Sequence, residues 1–312
     1  MLRLIGHRLL ISIPLIIVVT FLTFVLNALT PGDIAQTMLQ GEGTPEQIAA
    51  LRAQLGLDQP LLVQYWNWLS AAFTGDFGSS LITGEPVLAL VIDRMWVTTA
   101  IMVGVLLICL TVGVVLGIGS AVRGGFVGRL IDVVSIGGLM FPSFWLALVL
   151  ISIFAVGLGW FPATGYTPFS QDPWAWFVGL VLPVVAVSFL SITSIAKQTR
   201  DAMSEVLTRD FIRALRASGV PTRTVIFKHA LRNASLPLVT VLGLIMVAAI
   251  SSTVFVERVF VLPGLGSLAV QSTLQFDIYL LQGVTLFFTV MTILINLLVD
   301  ISYGWLNPKV RV

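Results

Sequence analysis

The 312-residue chain is 57% hydrophobic and 10% charged, with a mean hydropathy of +1.01. Soluble domains carry roughly 25% charged residues, so the composition excludes an ordinary water-soluble protein and makes lipid the main solvent. A net charge of +2 is too small to suggest nucleic acid, and a lone cysteine, Cys109, excludes an intrachain disulfide.

The N-terminus, "MLRLIGHRLLISIPLIIVVTFLTFVL", places Arg3 and Arg8 before an apolar run. That run is too long for a signal-peptide core and no small-residue cleavage site follows. It reads as a retained first span, Leu9–Leu29. A membrane helix needs about 20 apolar residues, and charge-free windows of that length mark five more. They are Val97–Ala121, Val133–Leu158, Trp174–Ala196, Leu236–Val256 and Gly283–Trp305. The window from Arg258 to Asp277 is broken by Pro263, Gly264 and Gly266, so it is predicted as a loop or re-entrant segment. Fourteen basic residues fall on one side of this arrangement and Arg52, Arg94 and Arg258 on the other, accounting for all seventeen. The positive-inside rule then makes both termini cytoplasmic. The expected organisation is a cytoplasmic N-terminus and first span (1–29), an external loop domain (30–96), and a core of spans two to six (97–312).

The external loop has folding signals of its own. Thr44, Pro45 and Gln47 in "TPEQIAALRAQLG" form a capping-box start, and Gly56 can end the helix. "DQPLLVQYWNWLSAAF" predicts a second, surface helix with Tyr65, Trp66 and Trp68 at a membrane interface. Seven acids against Arg52 and Arg94 fit either a solvated cap or a docking surface for a soluble partner.

The cytoplasmic loop at 197–235 reads helix, turn, helix. Arg209, Arg213 and Arg216 fall on one face, and Phe211, Ala214, Leu215 and Ser218 on another. Gly219 stands where a left-handed cap would end the first helix, and Pro221 begins the second. The positive-inside rule explains the charge of this loop but not its order. The spacing therefore predicts an ordered docking element.

Several chemistries are missing. The three lysines follow Ala196, Phe227 and Pro308, so none completes a phosphate-binding Gly-Lys loop. His7 and His229 alone cannot make a His-rich metal site, and neither lies in a span to serve a membrane hydrolase. No charged residue lies deep in a span, Asp300 standing near the end of the sixth, which speaks against a proton- or sodium-coupled carrier. The spans do carry hydroxyls and an amide, Thr240, Ser251, Ser252, Thr253 and Asn296, as candidate pathway lining.

The run "DFIRALRASG…KHALRNASLP" resembles the Glu-Ala-Ala loop of bacterial ABC importer permeases, with Arg213 in place of the Glu and Leu215 where a second small residue is usual. "LTPGD", "LGLDQP", "GDFGSS" and "VFVERVFVLPGLG" resemble the first permease subunit of the dipeptide/oligopeptide/nickel branch. "FDIYLLQG" is similar too, although Tyr279 replaces a Pro. The resemblance implies an all-α membrane protein with six transmembrane helices of the type I importer class, acting as a transport subunit rather than an enzyme. It implies a second homologous permease, one or two ATPase subunits that carry ATP and Mg, and an extracytoplasmic binding protein. This chain itself would hold no cofactor, metal or catalytic residue. By the same resemblance Arg209, Asp210, Phe211, Ala214, Leu215, Arg216, Ala217 and Gly219 would couple to the ATPase. Pro221, His229, Arg232, Asn233 and Pro237 would shape the loop, with His229 and Arg232 engaged in intraloop hydrogen bonds. Glu257, Pro263, Gly264, Gly266 and Asp277 would form an external gate or docking region. The cargo would be di- or oligopeptide, with nickel or another small solute, or a gated pore, as the rival readings.

Compartment reporters fused after Gly78 and after Gly219 are expected to report opposite sides of the membrane. The same side for both would end the six-span arrangement.

Overall fold

A computed structural model describes residues 2–30, 32, 34–39, 42–123, 125, 126, 128, 130, 133 and 141–306. Its helices, in chain order, are α1 (Leu2–Leu29), α2 (Ile34–Met38), α3 (Pro45–Gln54), α4 (Leu61–Phe73) and α5 (Val87–Arg123). They continue as α6 (Ser143–Gly157), α7 (Pro173–Leu207), α8 (Asp210–Ala217), α9 (Thr222–Val259), α10 (Leu265–Leu274) and α11 (Ile278–Leu306). Among the described residues, five helices are long and apolar enough to cross a membrane: Ile5–Leu29 within α1, and α5, α7, α9 and α11. The apolar α6 is shorter, and residues 134–140 of the predicted third span lie outside the described residues. The all-helical expectation holds, and the other predicted spans each lie within one of the long helices.

Helix ends differ from the charge-free windows. Helix α7 continues past Ala196 to Leu207, carrying Lys197, Arg200, Asp201 and Glu205. Helix α9 starts well before its span, and Pro237 lies inside it rather than at an entrance. Charge marks where a helix leaves lipid, not where its hydrogen bonding stops. Much of the expected 197–235 loop is therefore an extension of two long helices.

The chain divides into two compact units. One contains Leu2–Thr98 and Pro263–Ile293, the other Thr99–Leu262 and Leu294–Val312. In the first, α3 starts with the predicted capping box: the Gln47 amide donates to the Thr44 hydroxyl (3.3 Å) and the Thr44 amide to Gln47 Oε1 (2.9 Å). It ends at Gly56, with φ +68, and the Leu57 amide returns to the Arg52 carbonyl. Helix α4 corrects an expectation. Tyr65 and Trp68 are buried with Phe24 and Leu69, and of the three aromatic residues Trp66 alone is exposed. The Tyr65 hydroxyl donates to the Ile17 carbonyl (3.0 Å) and lies 2.9 Å from the Thr20 hydroxyl. The helix is thus strapped to the first span instead of resting freely on a surface. Gln282 of α11 ties a different helix to the same span, its side-chain amide donating to the Thr20 carbonyl at 3.0 Å.

In the second unit, α5 lies against α7 at close range. A Cβ on Gly104 would come within 2.8 Å of Val184 Cγ2, and one on Gly113 within 2.9 Å of Ile195 Cγ2. On Gly117 it would meet Thr199 Cβ at 2.4 Å and the Ala196 carbonyl oxygen at 2.6 Å. Lipid tails give helices no hydrophobic reason to associate, so close backbone packing at small residues takes over. Nine residues separate Gly104 from Gly113, about two and a half turns of a regular helix, which would set them on opposite sides. A π-helical turn at Cys109–Gly113 absorbs the surplus residue and returns the glycines to the α7 face.

Gly117→Ala is expected to destabilise the protein by about 1–3 kcal/mol through overpacking. Gly119→Ala, where a Cβ meets nothing within 4 Å, should not. Thermal unfolding of the two purified variants checks this, and equal midpoints would refute the close-packing account.

Candidate coupling helix and hydroxyl-lined cleft

Helix α8 has eight residues, too few to persist without tertiary support. Its support is Ile212, fully buried in a cluster with Met203, Val206, Val225 and Ala230. Leu215 and Val220 pack on the same cluster. Asp210 in the first turn and Arg216 in the last suit the helix dipole. The C-terminus closes as predicted: Gly219 has φ +79, its amide donates to the Arg216 carbonyl and the Val220 amide to the Leu215 carbonyl, both at 3.1 Å. The next helix is capped by Pro221 itself, so Thr222 rather than Pro221 is its first residue.

The predicted coupling residues divide by burial. Arg209, Asp210, Phe211, Ala214, Arg216, Ala217 and Gly219 are exposed. Leu215 is half-buried and turned towards the cluster, so it does not share an outward face with Phe211. The sequence reading missed Ile212, although its spacing of three from Leu215 was visible. Arg209 pairs with Glu205 at 2.7 Å and Arg213 with Asp210 at 3.3 Å, both exposed. The intraloop bonds expected of His229 and Arg232 side chains are absent among the described residues. Instead the Asn233 amide donates to the His229 carbonyl (2.8 Å) and the Arg232 side chain is exposed. A π-helical turn at Val225–Ala230 buries Val225, Ile226 and Ala230 and leaves Phe227 and Lys228 outside.

The second feature is a cleft of about 520 Å³ between α6, α7 and α9. Ser191 and Ser194 of α7 face it, with Ser251 and Ser252 of α9, and Phe144 and Phe255 stand with ring centroids 6.3 Å apart. Among the described residues, no charged side chain lines it. Ser251 and Ser252 were predicted; Ser191 and Ser194 were missed, though "SFLSITS" displays them three residues apart. Thr253 is fully buried and donates to the Ile250 carbonyl at 2.8 Å, so it cannot line a pathway here. Thr240 is exposed and bonded to the Leu236 carbonyl and the Tyr303 hydroxyl, and Asn296 is exposed on α11; neither lines the cleft.

The expected external gate residues are mostly interior. Glu257 and Asp277 are fully buried, so their side chains offer no direct docking surface, and Gly264 and Gly266 are buried as well. Asp277 accepts from the Ser80 hydroxyl at 2.6 Å and from the Leu280 amide at 3.2 Å. The Leu265 amide donates to the Thr98 hydroxyl at 2.8 Å, next to half-buried Pro263. Helix α9 ends with the Leu262 amide on the Glu257 carbonyl and α10 with the Asp277 amide on that of Ser272. These are left-handed caps like that at Gly219, yet the turning residues are Val261 (φ 55) and Phe276 (φ 58). A side chain in that region costs roughly 1–2 kcal/mol.

A family model described as "Binding-protein-dependent transport system inner membrane component" matches residues 113–312, and a second, for the N-terminal part of such membrane components, matches 1–102. The chain belongs to this family. A peptide transport system permease protein of Brucella abortus (strain 2308) is 38% identical over 100% of this chain and 99% of its own length. The peptide ABC transporter permease protein y4tP of Sinorhizobium fredii is 38% identical, with 98% of each chain covered. The glutathione transport system permease protein GsiC of Salmonella typhimurium is 37% identical over 100% of this chain and 99% of its own. The chain is therefore an integral membrane permease of an ABC importer, a transport subunit and not an enzyme.

In this permease a Cβ at Gly219 would meet nothing within 4 Å, so substitution there costs backbone strain alone. Gly219→Val should lose at least the roughly 1–2 kcal/mol of a left-handed side chain and tilt or fray α8. Gly219→Asn should be milder. Membrane abundance is expected to stay near wild type while transport falls, with Arg223→Ala a near-neutral control. Full transport in Gly219→Val would show that the cap has no coupling role.

Proposed function

We propose that this permease forms, with a second homologous permease, the pathway of an ATP-driven importer for di- and oligopeptides. An extracytoplasmic binding protein delivers the cargo, and one or two ATPase subunits supply the drive and hold the ATP and Mg. The chain sits in the bacterial inner membrane with both termini cytoplasmic. It touches membrane lipid but no nucleic acid, and carries no cofactor of its own. The observation that supports this most directly is the two-sidedness of α8. Ile212 anchors one face in the cluster, while Ala214 lies on the opposite side and Phe211 and Arg216 are exposed on the flanks. A helix held this way can receive a push and pass it to α7 and α9. Its exposed apolar anchor is Phe211, and Arg216 offers an exposed cation for acids around an ATPase groove.

The peptide cargo is supported by the relatives' names and by the chemistry of the cleft. Serine hydroxyls suit peptide amides, and the absence of charge among the described lining residues lets cargo leave as readily as it enters. Specificity then rests mainly with the binding protein.

Uptake of labelled peptide into vesicles holding the complete importer should require ATP and the ATPase subunits. Phe211→Ala is expected to lower it at least several-fold with normal abundance, whereas Ile212→Ala should reduce folded protein, since truncating a buried Ile costs about 2–5 kcal/mol. Uptake that persists without ATPase would favour a pore and refute the proposal. Uptake of nickel but not peptide would refute the cargo alone.

A further inference from the structure

We infer that a basic, aromatic-edged cleft between the ends of α9 and α11 is a binding site for the headgroup of an anionic phospholipid. The cleft measures about 450 Å³ and is lined by Phe227, Lys228, Leu231, Arg232, Ser235 and Trp305, with Leu306 beside them. None of these residues belongs to the exposed face of α8 or to the serine-lined cleft.

Charge is the first argument. Lys228 and Arg232 stand four residues apart and line one cavity. Neither has an ion-pair or hydrogen-bond partner among the described residues, whereas Arg209 and Arg213 on the neighbouring segment are paired with Glu205 and Asp210. Two unneutralised cations on one wall call for an anion. Among the described residues, no acidic side chain lines the cleft.

Position is the second. Both walls are terminal stretches of helices long and apolar enough to cross a membrane. Arg232 is the last charged residue of α9 before Glu257. Trp305 and Phe227 are 71% and 59% exposed at the rim, and aromatic residues favour the headgroup level.

The third argument selects a lipid over a soluble phosphate or an acidic protein segment. Leu294, Leu298 and Trp305 are exposed and fall on one stripe of α11, at spacings of four and seven residues. The stripe leads from the apolar body of the helix to the cleft. It gives an acyl chain a path ending where the cations begin, which a free phosphate would not need. Ser235 refines the headgroup. Its hydroxyl donates to the Arg232 carbonyl at 2.7 Å, leaving the oxygen to accept. A glycerol headgroup, with its own hydroxyl donors, matches that acceptor, so phosphatidylglycerol is the expected lipid.

The test uses the complete importer reconstituted in phosphatidylcholine vesicles, with tryptophan fluorescence quenched by brominated lipid. Brominated phosphatidylglycerol should quench a tryptophan component much more strongly than brominated phosphatidylcholine at equal content. The preference should approach about fivefold per cation, so roughly twenty-five-fold for the pair. Trp305→Phe should remove that component. Lys228→Gln should lower the preference about fivefold, Lys228→Gln with Arg232→Gln should abolish it, and Lys228→Arg should retain it. Equal quenching by the two lipids in the unaltered protein overturns the inference and depends on no variant's folding. So does a preference that survives the double substitution or the loss of Trp305. Relief of the quenching by inorganic phosphate would assign the site to a soluble anion. A double variant that sheds its ATPase subunits while no lipid preference exists would assign the cations to a protein interface. Either result overturns the lipid site.

Discussion

The burial of Ile212 is the interaction on which the placement of helix α8 depends. Helix α8 is too short to exist by itself and carries its charges outward. One side chain driven into the cluster of Met203, Val206, Val225 and Ala230 gives it a fixed direction. The cluster draws on α7 and α9 together, so α8 cannot be displaced without disturbing both. In a chain with little charge to spend, the exposed arginines decorate this element but do not hold it, since exposed ion pairs such as Arg209–Glu205 contribute at most about 1 kcal/mol.

Much of this was legible in the sequence, and the misses share a physical pattern. Local chemistry read well: the capping box at Thr44, the stops at Gly56 and Gly219, and the apolar windows depend on residues close in sequence. What failed depended on contacts between distant segments. Tyr65 and Trp68 looked like interface anchors because their hidden partners, Phe24 and Thr20, lie some forty residues upstream. Leu215 was placed on the Phe211 face because a helical wheel counts apolar residues without knowing which side meets the body. Glu257 and Asp277 looked accessible because charge usually implies water, yet Ser80, far away in sequence, receives Asp277 in the interior. Left-handed Val261 and Phe276 carry no local signal at all, since the favoured residue there is glycine.

The serine-lined cleft and helix α8 rest on the same pair of helices. Helices α7 and α9 supply both the serines and most of the cluster around Ile212. Rotation of either helix would alter the wall of the cleft and the seat of α8 at once. The hydroxyls also behave differently from free polar groups. Ser194 donates to the Leu190 carbonyl at 3.1 Å, which leaves its oxygen facing the cleft as an acceptor. Such a surface can receive amide hydrogens in passing and has little with which to retain them.

The π-helical turn at Cys109–Gly113 has a consequence for the gene as much as for the protein. It is a stored extra residue, and the phase of everything after it depends on that residue being present. Deleting one codon there would restore a regular helix, which by local criteria is an improvement. It would also turn the remainder of α5 by about a hundred degrees, swinging Gly117 away from Thr199 and bringing bulkier neighbours against α7. A single-residue insertion or deletion in this stretch should therefore disturb the contact of α5 with α7 as surely as filling the space beside Gly117.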